Sequence, residues 1–342
     1  MALSIQFVGI DVAKNWLDVW VEALKRYERF SNDAQGWVLL MMMLDGLGPR
    51  SGISIAFEAS GGYERALRST LLEARYAVFR VNPLRVRLYA RSLGRNAKND
   101  RIDARTIARF AAAIEAHPEI LDPQRERLAE LVLHRRRLVD DRTALTNQLG
   151  TVQSIDLRTQ FRQRLAQIER HITKTELLIH NLVDASPVLV QKIRLMKTLA
   201  GVKGITAASL AALLPELGTL DRRAIAALVG LAPFDHDSGR MKGKRCISGG
   251  RASVRIVLYM AARAAARSKS SLGAFYAKLI ADGKTPKVAT VALMRKMLVT
   301  LNAMLRDGQP WKLVQARPQR HSCSPAEGRG NQVTSASHPH AA

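Results

Sequence analysis

Apolar and polar positions divide the chain into an amino-terminal segment of alternating strands and helices and a carboxyl-terminal segment of helices. Up to about residue 115, short apolar runs bounded by turn residues predict strands, and apolar positions repeated every three or four residues predict helices. The order of these elements predicts a mixed sheet flanked by helices. The predicted strands are Ile5–Ile10, Trp16–Val21, Tyr27–Phe30, Ile53–Phe57 and Ala77–Val81, and the predicted helices are Ala34–Leu47, Tyr63–Arg75 and further helices up to Ala113.

The middle of the chain, residues 121–190, has the pattern of two long helices that pair through apolar seams. The first seam, Leu128–Val152, advances in steps of three and four residues and is interrupted by Arg135 and Arg142. The second seam is Phe161–Leu182. The pattern predicts a coiled-coil linker, and two interpretations of its arginines stay open. They contact nucleic acid or a second subunit, or they belong to a structural spacer and reach into solvent.

The segment 191–315 has the pattern of a helical domain that contains a helix-hairpin-helix turn. A tight turn with Gly201 and Gly204 joins two apolar helical stretches. The backbone amides of such a turn, together with Lys203, would hold a DNA phosphate without reading its sequence. A plain connection between two helices fits the same pattern equally well. Beyond residue 315, Pro, Ser, Gly, Arg and His replace large apolar residues, which predicts a disordered tail over 316–342.

The composition predicts a globular protein that binds a polyanion. The chain has 342 residues, with 53 Lys or Arg against 29 Asp or Glu, a net charge of +24 and a pI of about 10.9. Cys246 and Cys323 lack metal-type spacing, so we expect neither a zinc site nor a disulfide framework. The apolar stretch Trp37–Leu44 is too short to span a bilayer, and residues 1–10 lack the pattern of a signal peptide. We therefore expect a cytoplasmic, nucleoid-associated protein with no membrane partner.

Four carboxylates stand where the elements predicted for residues 1–120 would gather them in one pocket. Asp11 and Glu58 each end an apolar run, which places both at the carboxyl ends of buried strands, where parallel sheets bind their ligands. Asp100 and Asp103 lie three residues apart in a helical pattern, so both point from one face of its first turn. Such oxygen donors suit Mg²⁺ or Mn²⁺. The element order is the ribonuclease H-like layout, and an acidic pocket in so basic a chain indicates metal ions acting on a nucleic-acid phosphate.

A second candidate site is a basic loop in the carboxyl-terminal segment. Ser238 stands beside a glycine, and its hydroxyl could attack a phosphate whose charge the neighbouring cations neutralise. Taken alone, the same residues fit an ordinary basic loop. The cations are Arg240, Lys242, Lys244 and Arg245.

Six short motifs follow one another along the chain, and each is weak alone. They are Gly9-Ile-Asp11-Val-Ala-Lys14, Glu58-Ala-Ser-Gly-Gly-Tyr63, Lys98-Asn-Asp100-Arg-Ile-Asp103-Ala-Arg105, Gly201-Val-Lys-Gly204-Ile, Gly230-Leu-Ala-Pro233 and Ser238-Gly239. Their joint order and spacing resemble the insertion-sequence-110 family of transposases over roughly residues 5–308.

The resemblance implies a RuvC-like domain of ribonuclease H fold, a coiled-coil linker and a carboxyl-terminal transposase domain. It implies an Asp-Glu-Asp-Asp tetrad made of Asp11, Glu58, Asp100 and Asp103, and it gives the role of nucleophile to Ser238. Family members are recombinases guided by a structured bridge RNA that the element itself encodes. The implied partners are therefore DNA and a guide RNA, and the helical seams predict a homo-oligomer, either a dimer or a tetramer.

We accordingly expect a DNA transposase that exchanges strands through a phosphoserine intermediate with the help of Mg²⁺ or Mn²⁺. The alternative is a RuvC-like junction resolvase or nuclease, in which the tetrad activates water and Ser238 is an ordinary loop residue. A non-enzymatic DNA-architectural or RNA-binding protein is disfavoured, because four gathered acids without a metal ion would repel one another.

Overall fold

The computed structural model describes residues 5–58, 61–94, 100–114, 118–119, 122–234 and 246–311, with residues 100–102 described by their backbone alone. The predicted tail at 316–342 lies outside these ranges. The strands are β1 (Gln6–Val12), β2 (Trp16–Val21), β3 (Arg26–Ser31), β4 (Ile53–Glu58), β5 (Ala77–Val81), β6 (Pro233–Phe234) and β7 (Cys246–Ile247). The helices are α1 (Ala34–Asp45), α2 (Arg65–Glu73), α3 (Pro83–Ser92), α4 (Asp100–Ala113), α5 (Pro123–Thr151), α6 (Ile155–Asp184), α7 (Pro187–Lys197), α8 (Gly204–Leu213), α9 (Arg222–Val229), α10 (Ala252–Ala266), α11 (Ser271–Ala281) and α12 (Pro286–Asp307).

The chain divides into two compact units, Met1–Pro123 and Gln124–Ala342. The first unit holds a five-stranded mixed sheet in the order β3-β2-β1-β4-β5. Strands β1, β2 and β3 pair antiparallel, whereas β1, β4 and β5 pair parallel. This mixed sheet with flanking helices is consistent with the predicted ribonuclease H-like domain, and the predicted strand ends are correct to within two residues.

The sheet of the first unit is covered by helices on both faces, and alternate residues of each strand serve different faces. Val8, Ile10 and Val12 of β1 pack with the buried leucines of α1 and α2. On the opposite face, Ala56 of β4 belongs to a cluster with Ile107 of α4 and Val86 of α3, so α3 and α4 cover that side. Residues in step with Ala56 therefore point toward α4.

The second unit is helical, and its core includes the base of the α5–α6 hairpin. Leu128 of α5 and Ile179 of α6 are buried in the same cluster as the apolar faces of α7, α8, α10 and α12. The predicted linker and the predicted carboxyl-terminal domain thus share one compact unit, which begins next to Pro123. The predicted division between them at residue 190 stays a prediction.

Helix α12 is long and apolar enough to cross a membrane by length and composition. Its leucine and methionine side chains nevertheless lie in the core of the second unit, with Leu293, Met297 and Leu301 fully buried. A core helix passes the same length and hydropathy test, so α12 is accounted for by packing within the protein.

Candidate active site

Asp11 and Glu58 lie at the ends of two strands that pair side by side. The parallel ladder of β1 and β4 runs up to the pair Ile10 and Phe57, so Asp11 and Glu58 occupy the next position along it. Glu58 is in step with Ala56, which faces α4, and Asp11 is in step with Gly9, which contacts α4. Both carboxylates are half-buried. The two acids predicted from separate apolar runs therefore share one face and one edge of the sheet.

Helix α4 packs directly on the backbone of β1 because Gly9 has no side chain. A methyl group at Gly9 would lie 2.2 Å from the carbonyl oxygen of Ala104 and 2.4 Å from the amide nitrogen of Ala108. Phe7, two residues earlier on the same face, packs against the cluster that holds Phe110 near the other end of α4. The helix consequently runs antiparallel to β1, and its first turn lies toward the edge that bears Asp11.

That first turn carries the other two predicted acids. Asp103 is half-buried and precedes Ala104, the residue in contact with Gly9. Asp100 begins the helix, and its side chain is outside the described part of the structure. The backbone thus brings all four predicted positions to one edge of the sheet, on the side of α4.

The donor chemistry of this edge is that of a hard divalent ion, because every predicted ligand is a carboxylate. Among the described side chains, however, no three His, Cys, Asp or Glu residues converge on a single point as a metal-binding group. The placement of the backbone and the type of donor fit a divalent ion, and the coordination set itself stays a prediction.

Two arginines of α4 contact β2 and the residue that directly follows it. The guanidinium of Arg105 lies 5.1 Å from the centre of the Trp20 ring, and Arg109 pairs with Glu22 at 3.1 Å. Burial opposes the ionisation of Glu22, but hydrogen bonds from Lys25, Trp20 and Arg109 outweigh it and lower its pKa. These contacts and Gly9 together fix the position of the turn that bears Asp103.

A buried acid that the sequence does not predict lies opposite Asp11 in the antiparallel ladder of β1 and β2. This residue, Asp18, is 2% exposed and accepts hydrogen bonds from the Tyr27 hydroxyl and from Arg29 Nε, the latter at 2.9 Å. Burial, followed by the bond to Asp18, raises the pKa of Tyr27. The charge of Asp18 is thus compensated next to the candidate site. Its sequence signal is faint: a polar residue on an otherwise apolar strand.

Asn32, also absent from the predicted site, ties together the loops that follow the two strand ends. Its Nδ2 donates to the carbonyl of Ala13, two residues after Asp11, at 2.9 Å and to the carbonyl of Tyr63 at 3.3 Å. Its Oδ1 accepts from Trp37 Nε1 at 3.0 Å. One side chain therefore braces the loops that follow Asp11 and Glu58.

The second predicted site, Ser238 with Arg240, Lys242, Lys244 and Arg245, lies in residues 235–245, outside the described part of the chain. The described residues on either side of this segment, Pro233–Phe234 and Cys246–Ile247, pair as the short strands β6 and β7.

The turn after β7 is closely packed. Gly250 has a left-handed backbone, and a methyl group there would lie 2.2 Å from the amide nitrogen of Gly230. Arg255 donates to the carbonyls of Val229, at 2.9 Å, and Gly249. The turn that follows the predicted serine loop is therefore packed against α9 and α10, and Ser248 is exposed on it.

Comparison with known proteins places this arrangement in a family. A model of DEDD transposases, described as Transposase, matches residues 8–153, and a model described as Transposase IS116/IS110/IS902 family matches residues 193–277. The chain belongs to the IS110 family of transposases. It is 26% identical over 323 residues to the pilin gene-inverting protein of Moraxella lacunata and 27% identical over 323 residues to that of Moraxella bovis. Each comparison covers 90% of this chain and 98% of the relative.

As a member of this family, the IS110 transposase is a DNA-recombining enzyme whose substrate is DNA, and its family domain is of a divalent-metal-dependent type. The candidate edge of Asp11, Glu58, Asp100 and Asp103 lies within the first family match. Residues 235–245, with Ser238, lie within the second.

In the IS110 transposase, the two arginines that interrupt the first seam have partners across the hairpin. Arg135 pairs with Glu176 at 2.6 Å, and Arg142 pairs with Glu169 at 3.1 Å. Both pairs fit one antiparallel register of α5 and α6, and the seam positions of both helices are the less exposed ones. The seams therefore face each other within one chain, so an exposed apolar stripe no longer argues for self-association.

The two-glycine turn between α7 and α8 of the IS110 transposase has a structural reason. Gly201 has a left-handed backbone, and a methyl group there would lie 2.4 Å from the carbonyl oxygen of Ala261 in α10. Lys203 is exposed just before α8, which begins at Gly204. Packing explains Gly201, and a phosphate contact by Lys203 stays a prediction.

Proposed function

We propose that this IS110 transposase exchanges DNA strands at sites chosen by a guide RNA and that the exchange proceeds through a phosphoserine intermediate. The observation that carries the proposal is the close packing of α4 on Gly9, which directs the turn bearing Asp103 toward the strand ends with Asp11 and Glu58. Four carboxylate positions at one edge of a DNA-recombining enzyme are the arrangement that phosphoryl transfer needs.

Asp11, Glu58, Asp100 and Asp103 are proposed to hold Mg²⁺ or Mn²⁺. When bound there, a divalent ion supplies Lewis-acid polarisation of the scissile phosphate. The protein supplies the position of the acids through Gly9, Arg105 and Asn32. Compensation of the Asp18 charge keeps a further buried carboxylate from repelling Asp11.

Ser238 is proposed to be the nucleophile. Its Oγ forms a bond to phosphorus while the bond from phosphorus to the deoxyribose oxygen breaks, and the proton lost by the serine is balanced by the one gained by the released hydroxyl. A hydroxyl of a second strand end then attacks the phosphoserine and regenerates the serine. The number of phosphoester bonds is unchanged at each step, so no nucleotide cofactor is consumed. Arg240, Lys242, Lys244 and Arg245 are proposed to neutralise the phosphate.

Nucleic-acid binding is proposed to rest on charge and shape. Gly201, Lys203 and Gly204 would contact a DNA phosphate, and the exposed parts of the Arg135 and Arg142 side chains would contact the guide RNA while both keep their glutamate partners. We further propose that the enzyme works as a homo-oligomer, a dimer or a tetramer, in the cytoplasm at the nucleoid. Its coiled-coil linker and helix-hairpin-helix belong to this proposal.

Denaturing electrophoresis of end-labelled DNA with Mg²⁺ tests the chemistry. Ser238→Ala is expected to bind DNA without forming a covalent adduct, whereas the control Ser248→Ala keeps at least some adduct. Asp11→Ala and Glu58→Ala are expected to abolish cleavage, whereas Glu73→Ala, an exposed acid on α2, leaves it unchanged. Adduct at wild-type level from Ser238→Ala would exclude the serine. Cleavage by the wild type without any adduct would favour the resolvase that uses water.

Two further experiments test the guide and the assembly. Nuclease-treated protein is expected to lose recombination and to regain it with the element's RNA, and undiminished activity without RNA would contradict guidance. Mixed Ser238→Ala and Asp11→Ala proteins are expected to restore partial activity if each site draws its serine and its acids from different subunits. No recovery on mixing would assign each site to one chain.

A further inference from the structure

An exposed stripe of apolar and aromatic side chains runs along the outer face of α10. Ile256 is 40% exposed, Tyr259 is 42% exposed and Met260 is 56% exposed. Arg263 continues the stripe, and its guanidinium carbon lies 5.9 Å from the centre of the Tyr259 ring. These positions follow helical spacing, so they form one continuous surface. The opposite face of α10, with Val254, Leu258 and Ala262, is buried in the core.

The segment of chain that carries the stripe is basic. Residues 246–281 contain six Lys or Arg and no Asp or Glu. Arg251, the cap residue at the start of α10, pairs with Glu216. Farther along the chain, Arg263, Arg267 and Lys269 are exposed. A surface of this sign attracts phosphates and repels other basic surfaces, including a second copy of this chain, whose net charge is +24.

The helix that bears the stripe is held firmly at its amino-terminal end. Arg255 bonds the carbonyls of Val229 and Gly249, which joins α10 to the turn after β7. Tyr259 lies seven residues beyond the start of α10, about 10 Å along the helix axis. That distance matches about three stacked nucleotides at 3.4 Å each. A nucleic-acid strand of about three nucleotides could therefore extend from the turn that carries Ser248 to the Tyr259 ring.

We propose that this stripe binds unpaired nucleotides, with a base stacked on the Tyr259 ring beside Met260 and the adjoining phosphate held by Arg263. Aromatic rings bind base faces, which a duplex keeps covered, so an exposed tyrosine within a cationic surface selects for unpaired strands. Strand exchange exposes such bases in DNA, and a guide RNA carries them in its loops. The proposal deepens the proposed function by naming where unpaired strand is held, but it requires only that the enzyme act on nucleic acid.

Fluorescence anisotropy with full-length protein tests the proposal. The probes are an unstructured single-stranded DNA, the same sequence as a duplex, and an unpaired RNA, all measured in EDTA so that no reaction occurs. Tyr259→Leu keeps an apolar side chain and removes the ring. It is expected to weaken binding of the single strand about tenfold while changing duplex binding less than about twofold. Arg263→Gln is expected to weaken both, and the single strand more.

Arg267→Gln is the matched control, because it removes an exposed charge one turn beyond Arg263, about 12 Å along the helix axis from Tyr259. It is expected to weaken single strand and duplex equally. The relative loss on the DNA and RNA single strands identifies which strand the stripe holds. The binding assay in EDTA involves no cleavage, so it is independent of the phosphoserine assay. Absence of a phosphoserine adduct would not contradict binding at the stripe, and absence of binding at the stripe would not contradict the phosphoserine intermediate.

Several results would overturn the proposal. Binding of the single strand by Tyr259→Leu as tightly as by the wild type would overturn it, and so would an equal loss of single-strand and duplex binding. A lower mass in light scattering for Met260→Asp, with unchanged single-strand binding, would show that a second copy covers the stripe. An unchanged Tm for Tyr259→Leu confirms that the loss of binding is local.

Discussion

Replacing Gly9 with alanine perturbs the packing that holds the candidate site together. The added methyl group would lie 2.2 Å from the Ala104 carbonyl oxygen and 2.4 Å from the Ala108 amide nitrogen, and neither backbone atom can rotate away. Ordinary contact begins at 3.4 Å, so α4 must retreat from β1 by about 1 Å. The retreat carries Asp100 and Asp103 away from Asp11 and Glu58.

Two effects of different size should follow from Gly9→Ala. Overpacking of this kind costs about 1–3 kcal/mol of unfolding free energy, which lowers the Tm by several degrees. A displacement of about 1 Å in a catalytic group lowers the rate about 100-fold, so cleavage should fall far more than stability. Titration of Mn²⁺ by calorimetry should show weaker binding at a temperature where the variant is folded.

Gly52→Ala is the matched control for this experiment. A methyl group at Gly52, just before β4, meets no atom within 4 Å, and the backbone there is not left-handed. Its Tm, cleavage rate and Mn²⁺ affinity should equal those of the wild type. If Gly9→Ala also cleaves DNA and binds Mn²⁺ like the wild type, the contact between α4 and β1 does not set the position of the acids.

Three other predictions concern charged pairs. Arg29→Met should lower the Tm, because it leaves the buried Asp18 carboxylate without its cationic partner. The same change should lower the Tm less in an Asp18→Asn background, where that carboxylate is absent. Thermal denaturation of the wild type, the two single variants and the double variant measures the difference. Asp45 has a pKa of about 2 because Arg50 and then Tyr76 donate hydrogen bonds to it, so its contribution is complete above about pH 4 and is lost as the pH falls toward 2. Asp45→Asn should therefore flatten the acid limb of the Tm profile, and an unchanged limb would contradict this. Glu176→Ala should cost less than about 1 kcal/mol in urea denaturation.

The sequence predicts the parts of this fold that depend on local pattern. The strands that end in Asp11 and Glu58 are apolar runs, and the helix with Asp100 and Asp103 has a clear three-and-four period, so their elements follow from periodicity alone. Helices α9 and α11 and the two-residue strands β6 and β7 are not predicted. The strands are too short to show alternation, and they form because the chain returns to pair with itself.

Contacts between distant residues account for the rest. Asp18 meets Arg29 because two strands pair in one register, and Arg135 meets Glu176 across 41 positions of sequence. Gly9 reads as an ordinary strand glycine until α4 is placed against it. Asn32 likewise gains its partners only when two loops are brought together. The pattern of apolar and polar residues along the sequence does not predict such contacts between distant residues.

The α5–α6 hairpin is held at its base by the core of the second unit and projects away from that core. Its last residues in that core are Val132 and Ile179, and its tip is near Thr151. Nineteen helical residues separate Val132 from the tip, a length of about 30 Å. A rotation of the hairpin by about 5° about its base would therefore move the tip by about 2–3 Å. A molecule bound at the tip would therefore act on the second unit about 30 Å from the core that holds the hairpin.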